Sequence, residues 1–101
     1  MKIKEPTIGG ICQSLQGRDK DRFYIISEIS AEGAVMVVDG NFKKFCSPKK
    51  KNLRHLRLLP EKAEAIAAKL AEGAKVYDSE VYSALKDYNY PKPAESGEEN
   101  K

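Results

Sequence analysis

Short apolar segments that recur about every ten residues, separated by turns rich in Gly and Asp, constrain this fold more than any other feature of the sequence. Their length and composition predict five β-strands, at residues 11–15, 22–29, 34–38, 42–46 and 53–59. The pair Asp39-Gly40 predicts a tight hairpin between the third and fourth strands. Because short strands expose their edges unless the sheet closes, we expect a mainly β fold in the form of a small closed or nearly closed barrel.

After residue 59 the spacing of the apolar residues changes from that of a strand to that of a helix. Apolar residues from 63 to 70 follow one helical face, and Gly73 is a suitable residue to end that helix. Val81, Leu85 and Tyr88 share one face of a second predicted helix. Both helices are short, so they need a surface to pack on. We therefore expect a barrel over residues 1–59, an accessory helical pair over 60–90 and a disordered tail over 91–101.

The charge of the chain is strongly uneven along its length. The 101 residues carry a net charge of +3, but residues 1–59 hold 12 basic and 6 acidic side chains, whereas residues 60–101 hold 6 basic and 9 acidic ones. A basic region joined to an acidic one suggests a surface that binds a polyanion and a separate segment with another role.

Acidic residues are missing entirely between Asp39 and Glu61. Such a concentration of positive charge costs folding stability, which a bound polyanion offsets because each phosphate contact releases condensed counterions. We therefore predict a nucleic-acid contact here; a solvated surface loop is the alternative interpretation. Tyr24 is a candidate platform for an unpaired base, with a structural role as its alternative. The predicted contact residues of this stretch are Lys43, Lys44, Lys49, Lys50, Lys51, Arg54, His55 and Arg57.

Patterns of catalytic or metal-binding residues are not recognisable in the sequence. His55 is the only histidine, and no cluster of Cys, His, Asp and Glu surrounds it with the spacing of metal ligands. No glycine-rich phosphate loop follows a predicted strand and opens a helix. We therefore expect a protein that is not an enzyme and that uses no cofactor or metal.

The two cysteines and the N-terminus bear on the cellular compartment. Cys12 and Cys46 are too few for a disulfide framework and lie in apolar segments, so we expect two reduced, buried thiols. The first ten residues are too polar for a signal peptide, and no apolar run approaches the roughly 20 residues that span a bilayer. These features predict a cytoplasmic protein that does not contact membranes.

Three motifs in a fixed order carry a resemblance to a known family: Gly17-Arg18-Asp19, then Asp39-Gly40, then Pro48-Lys49-Lys50-Lys51-Asn52-Leu53. Residues 8–59, about half of the chain, resemble the small bacterial KOW-domain RNA-binding proteins, which are similar to KOW-containing large-subunit ribosomal proteins of archaea and eukaryotes. The resemblance implies an SH3-like β-barrel, RNA binding and association with ribosomes or translation, with ribosomal RNA as the expected partner. It also implies that the loop between the first two strands contacts RNA, which adds Gly17, Arg18, Lys20 and Arg22 to the predicted site.

Asp21 departs from the family pattern, which usually has glycine at this place. Glycine permits a positive φ, and Asp tolerates that conformation better than most residues but at some cost. We therefore expect the turn to be kept. The alternative function is a protein-interaction module that docks a ribosomal, translation or transcription partner through the helical face of Val81, Leu85 and Tyr88.

Overall fold

The computed structural model describes residues 5–30, 32–41 and 43–90. Its elements in chain order are β1 (Gly10–Ser14), β2 (Phe23–Ile29), β3 (Ala34–Val38), β4 (Lys49–Asn52), a 3₁₀ turn (Leu53–His55), β5 (Leu56–Lys62), α1 (Glu64–Glu72) and α2 (Asp78–Asn89). The strands form one antiparallel sheet, so the prediction of a mainly β fold with five strands followed by two helices is confirmed. Within these described ranges, no helix is long and apolar enough to cross a membrane. The predicted tail, residues 91–101, lies outside them.

The fourth strand does not lie where the sequence pattern predicts it. Phe42 is outside the described residues, and residues 43–46 contain bends and turns. Strand β4 lies instead between the fourth and fifth predicted strands, at Lys49–Asn52. The buried carboxylate of Asp39 accounts for the difference, because it accepts hydrogen bonds from the backbone N–H groups of Asn41 (2.9 Å) and Lys43 (2.7 Å). This local turn replaces the predicted hairpin. The lysine-rich β4 is an edge strand, a position where lysine is common.

The sheet is strongly curled. Its strand order is β4-β3-β2-β1-β5, so consecutive strands β4 and β5 form its two opposite edges. In a flat sheet those edges would lie about 19 Å apart. A three-residue 3₁₀ turn joins them, and a turn of that length spans only roughly 6 Å. The turn also bridges the opening, because Leu53 N–H donates to Gly33 O (3.0 Å) and His55 O accepts from Leu15 N–H (2.9 Å).

Each face of the curled sheet covers a separate hydrophobic core. Because side chains alternate along a strand, adjacent residues of β2 face opposite cores. The inner core contains Cys12, Tyr24, Ile26, Val35, Val37 and Leu56. The outer core combines Ile11, Ile25 and Val38 of the sheet with Ile66, Val76, Val81 and Leu85 of the helical region. Complete burial of one such aliphatic side chain contributes about 1.5–3 kcal/mol to the free energy of unfolding. The helical residues of the outer core therefore stabilise the sheet on which they pack.

Helix α2 is fixed to the sheet by specific contacts as well as by burial. The side-chain amide of Asn89 accepts from the backbone N–H of Phe23 (2.8 Å) and donates to its carbonyl (3.1 Å). The rings of Phe23 and Tyr88 lie 5.1 Å apart, centroid to centroid. Val81 and Leu85 are fully buried in the outer core. This helical face, the candidate contact for a protein partner, is therefore covered by the sheet. The expected boundary at residue 59 falls inside β5.

Candidate nucleic-acid interface

The loop between β1 and β2 has a well-defined conformation that depends on two positive φ angles. Gly17 has φ +96°, and Asp21 has φ +75°, the only positive value found outside glycine in the described chain. The expectation for Asp21 is confirmed: its backbone adopts the conformation that a glycine would permit. Hydrogen bonds from Asp21 N–H to Ser14 O (2.7 Å) and from Arg22 N–H to Asp19 O (2.9 Å) close the turn.

Asp19 connects this loop to β2 and β4. Its carboxylate accepts hydrogen bonds from Ser14 Oγ (2.9 Å), Tyr24 OH (2.6 Å) and Lys51 Nζ (3.3 Å). Lys49 Nζ forms a further ion pair with it at 3.5 Å. Burial alone would raise the pKa of Asp19, but the three hydrogen bonds and the charge of the Lys51 ammonium outweigh it and hold that pKa well below its ordinary range. The carboxylate therefore stays ionised and holds the loop against the edge strand.

Two predicted RNA contacts have structural roles instead. Tyr24 is only 1% exposed, which favours the structural alternative over stacking on a base. Burial, and then the hydrogen bond to Asp19, raise the pKa of Tyr24 well above its ordinary value, so its hydroxyl remains a donor. Lys51 is 8% exposed and also donates to Gln16 O (3.2 Å), which leaves its ammonium little access to an external phosphate.

The remaining cations of the loop converge with cations from the distant basic stretch. Arg18, Arg22, Lys43 and Lys49 line one shallow, open depression of about 340 Å³, above Asp19 and Tyr24. A smaller depression of about 200 Å³ shares Arg18 and Arg22 and adds Lys20. We call this surface the basic face and define it as Arg18, Lys20, Arg22, Lys43 and Lys49.

The basic face keeps an excess of positive charge in spite of its internal ion pairs. Arg22 pairs with buried Asp39 at 3.4 Å, and Lys49 pairs with Asp19. With Lys51 beneath it, the face combines six cations with the three carboxylates of Asp19, Asp21 and Asp39. Among the described residues, Arg18, Lys20 and Lys43 have no carboxylate within ion-pair distance. The surface is therefore suited to an anionic ligand.

The other predicted contacts do not line the basic face. Lys44 and Lys50 are exposed elsewhere, and Lys50 alternates with its inward-facing neighbour along β4. Arg54 and His55 belong to the 3₁₀ turn. Arg57 donates from Nε to Gln13 Oε1 (3.1 Å) on β1 and lines a separate, apolar depression of about 290 Å³ with Leu15, Leu53, Leu56 and Leu58. The predicted set thus divides between at least two surfaces.

Sequence reasoning missed two residues of the site. Asn89 of α2 lines the smaller depression, 66 positions from the strand residue that it holds. No local pattern marks it, because its role depends on how the helix packs. Asp19 was likewise absent from the predicted site, although a polar residue between Gly17 and Asp21 in a turn is a modest signal of a loop-closing group.

Cysteine exposure corrects one further expectation. Cys12 is buried in β1, as predicted, but Cys46 is exposed in the loop before β4. Both thiols are free. In the described part of the chain, no group of three or more His, Cys, Asp and Glu side chains is placed to hold a metal ion.

Comparison with known proteins does not extend the resemblance seen in the motifs. No protein-family model matches the chain, and no curated protein matches it either. The assignment of residues 8–59 to the KOW type therefore rests on the three motifs and stays a prediction.

Proposed function

We propose that this protein binds RNA by contacting phosphates with its basic face. The observation that carries the proposal is the convergence of two distant segments: Arg18 and Arg22 from the β1–β2 loop line the same depression as Lys43 and Lys49. Lys and Arg side chains that are held near one another neutralise successive phosphates and gain affinity from counterion release. The open, shallow shape suits a sugar–phosphate backbone better than an enclosed small molecule.

The internal contacts of the site support this function because they fix its geometry before a ligand arrives. Asp19 ties the loop to Tyr24 of β2 and to Lys51 of β4. Since these groups are already ordered, binding costs less conformational entropy than it would in a mobile loop. Lys49, which pairs with the same Asp19 carboxylate, has a side chain that is 34% exposed.

The fold supports a finer proposal, an SH3-like barrel of the KOW type that associates with ribosomes or translation in the cytoplasm. A curled five-stranded sheet whose edges are joined by one 3₁₀ turn has the compactness of a small barrel. Asp21 has a positive φ at the place where the family pattern usually has glycine. Two free thiols agree with a reducing compartment.

The surface expected for the alternative function, a protein-interaction module, is covered by the sheet. Val81, Leu85 and Tyr88 pack against the sheet and its Phe23 ring, so they offer no apolar face to a partner. RNA binding is therefore the function that the geometry supports best.

Binding to ribosomal subunits and to a structured RNA should be measured across a salt series. If four or five phosphates are neutralised, log K falls with log[salt] at a slope of roughly −3 to −4.5. The variant Arg18→Ala with Lys43→Ala should weaken binding and reduce the magnitude of that slope by about two. Arg54→Ala with Arg57→Ala is the matched control, because it removes the same charge away from the basic face.

The result that overturns the proposal is absence of binding at low salt, or an affinity that does not change with salt. Equal losses in the two double variants would show that binding responds to net charge and not to the basic face.

A further inference from the structure

Two exposed tyrosines form a pair along α2: Tyr82 lies within the helix and Tyr90 is its C-cap. Tyr82 is 37% exposed and Tyr90 is 44% exposed, and their ring centroids lie 6.0 Å apart with an interplanar angle of 41°. Tilted pairs of this kind are favourable, so each ring steadies the other. Lys86 lies between them at four-residue spacing, on the same side of the helix. The pair thus combines two fixed aromatic rings with a nearby cation.

The tyrosine pair is held against the turn that follows β3. Gly40 has φ +77°, and a Cβ atom placed on it would lie 2.6 Å from the backbone nitrogen of Tyr82. Only glycine allows this close approach. Asn41, the next residue, donates from Nδ2 to the hydroxyl of Tyr90 at 3.4 Å. The turn therefore packs on the backbone of Tyr82 and reaches the hydroxyl of Tyr90.

The same turn carries one of the cations of the basic face. Lys43 O accepts from the backbone N–H groups of Asp39 (2.8 Å) and Gly40 (3.2 Å), and the Lys43 side chain lines the larger depression. Asn89 lines the smaller depression, and it directly precedes Tyr90 in the chain. Tyr82 is thus linked to Lys43 through the turn, and Tyr90 directly follows Asn89 in the chain, which argues that the aromatic pair lies beside the basic face.

We propose that Tyr82 and Tyr90 form a stacking platform for an unpaired base of the RNA whose phosphates contact the basic face. This inference rests on the proposed function and adds a substrate class to it: RNA with an unpaired segment. Bases without partners stack on aromatic side chains beside a positively charged groove, and the contact is tolerant of sequence because every base has a π face. The platform takes the place of Tyr24, whose ring is buried.

Binding of an oligouridine strand of about twelve nucleotides should be compared with binding of a duplex of the same length, at one salt concentration. Tyr82→Ala and Tyr90→Ala should each weaken binding of the strand by about 5- to 150-fold and leave duplex binding unchanged. Tyr82→Phe and Tyr90→Phe should retain strand binding, because phenylalanine keeps the ring. Tyr77→Ala is the matched control. Tyr77 is an exposed tyrosine (57%) that precedes α2, and its ring contacts Lys75 and does not belong to the tyrosine pair.

Several results overturn the inference, and they separate it from the proposal on which it rests. If the alanine variants bind the strand like the wild type while Arg18→Ala with Lys43→Ala does not, the platform is wrong and RNA binding stands. If the wild type binds neither RNA at low salt, both fall. Loss of a bound protein with RNA affinity intact would assign the tyrosines to a protein contact. Thermal unfolding of each variant shows whether the fold is retained.

Discussion

The hydroxyl of Tyr24 donates a 2.6 Å hydrogen bond to the carboxylate of Asp19. Tyr24 is buried in the inner core, and Asp19 belongs to the loop that contributes to the basic face. Through Lys51, the same carboxylate also holds the edge strand β4. Stability of the sheet and geometry of the candidate site therefore depend on one ionised group.

Stability should fall in acid because of Asp19. Its pKa in the folded protein lies below its ordinary value of about 3.9, so the stabilisation is fully present above that value and is lost as pH falls through the folded-state pKa. Urea unfolding of the wild type and Asp19→Asn from neutral pH down to about pH 2 measures this. The free-energy difference between them should be largest near neutrality and shrink in acid. Parallel curves would contradict the role assigned to the carboxylate.

Replacement of Asp21 by glycine should stabilise the protein. An L-residue in the left-handed region costs roughly 1 kcal/mol, and glycine removes that strain but loses more entropy on folding, so we expect a net gain of about 0.5 kcal/mol. Gly17→Ala is the opposite change at φ +96° and should destabilise by about 1–2 kcal/mol. Denaturant unfolding at neutral pH measures both variants. A loss of stability in Asp21→Gly would mean that the Asp side chain supports the turn.

Neighbouring lysines of β4 should respond differently to the same substitution. Lys51→Met removes a buried ammonium and leaves the Asp19 carboxylate with fewer partners, so the free energy of unfolding should fall by about 1–3 kcal/mol. Lys50→Met changes an exposed residue and should alter stability by less than about 0.5 kcal/mol. Urea unfolding of the two variants gives the comparison. Equal effects would show that the inward ion pair does not contribute.

The two thiols should differ sharply in reactivity. Burial raises the pKa of the Cys12 thiol to about 12, against a smaller opposing effect of Lys51, so little thiolate forms at neutral pH. Cys46 is exposed and should react with iodoacetamide in the native protein. Mass spectrometry should show one label before unfolding and two in urea. Native labelling of Cys12 would mean that β1 opens readily.

Local pattern predicted the strands that have apolar residues of their own. The first three strands follow from alternation and turn residues, and Gly73 ends α1 in the left-handed conformation, as predicted. Strand β4 could not be predicted in this way, because Lys49–Asn52 contains no apolar residue. Its conformation comes from pairing with β3 and from an ion pair to Asp19, 32 positions away along the chain.

The site was predictable in outline only. Arg18, Lys43 and Lys49 were expected as contacts and do line one depression. In the sequence, however, Lys50 and Lys51 are indistinguishable, and only the pleat of the paired strand decides which one turns inward. The burial of Tyr24 likewise depends on the curl of the sheet, which arises from contacts far apart along the chain.

A sheet with an interior on each side constrains how such a chain can change during evolution. Inserting one residue within β2 would turn side chains such as Ile25 toward the opposite face of the sheet. Both cores would then receive the wrong side chains. Changes of length are therefore excluded from the strands that have a core on each face. The doubly packed strands thus hold constant the frame on which the basic face is built.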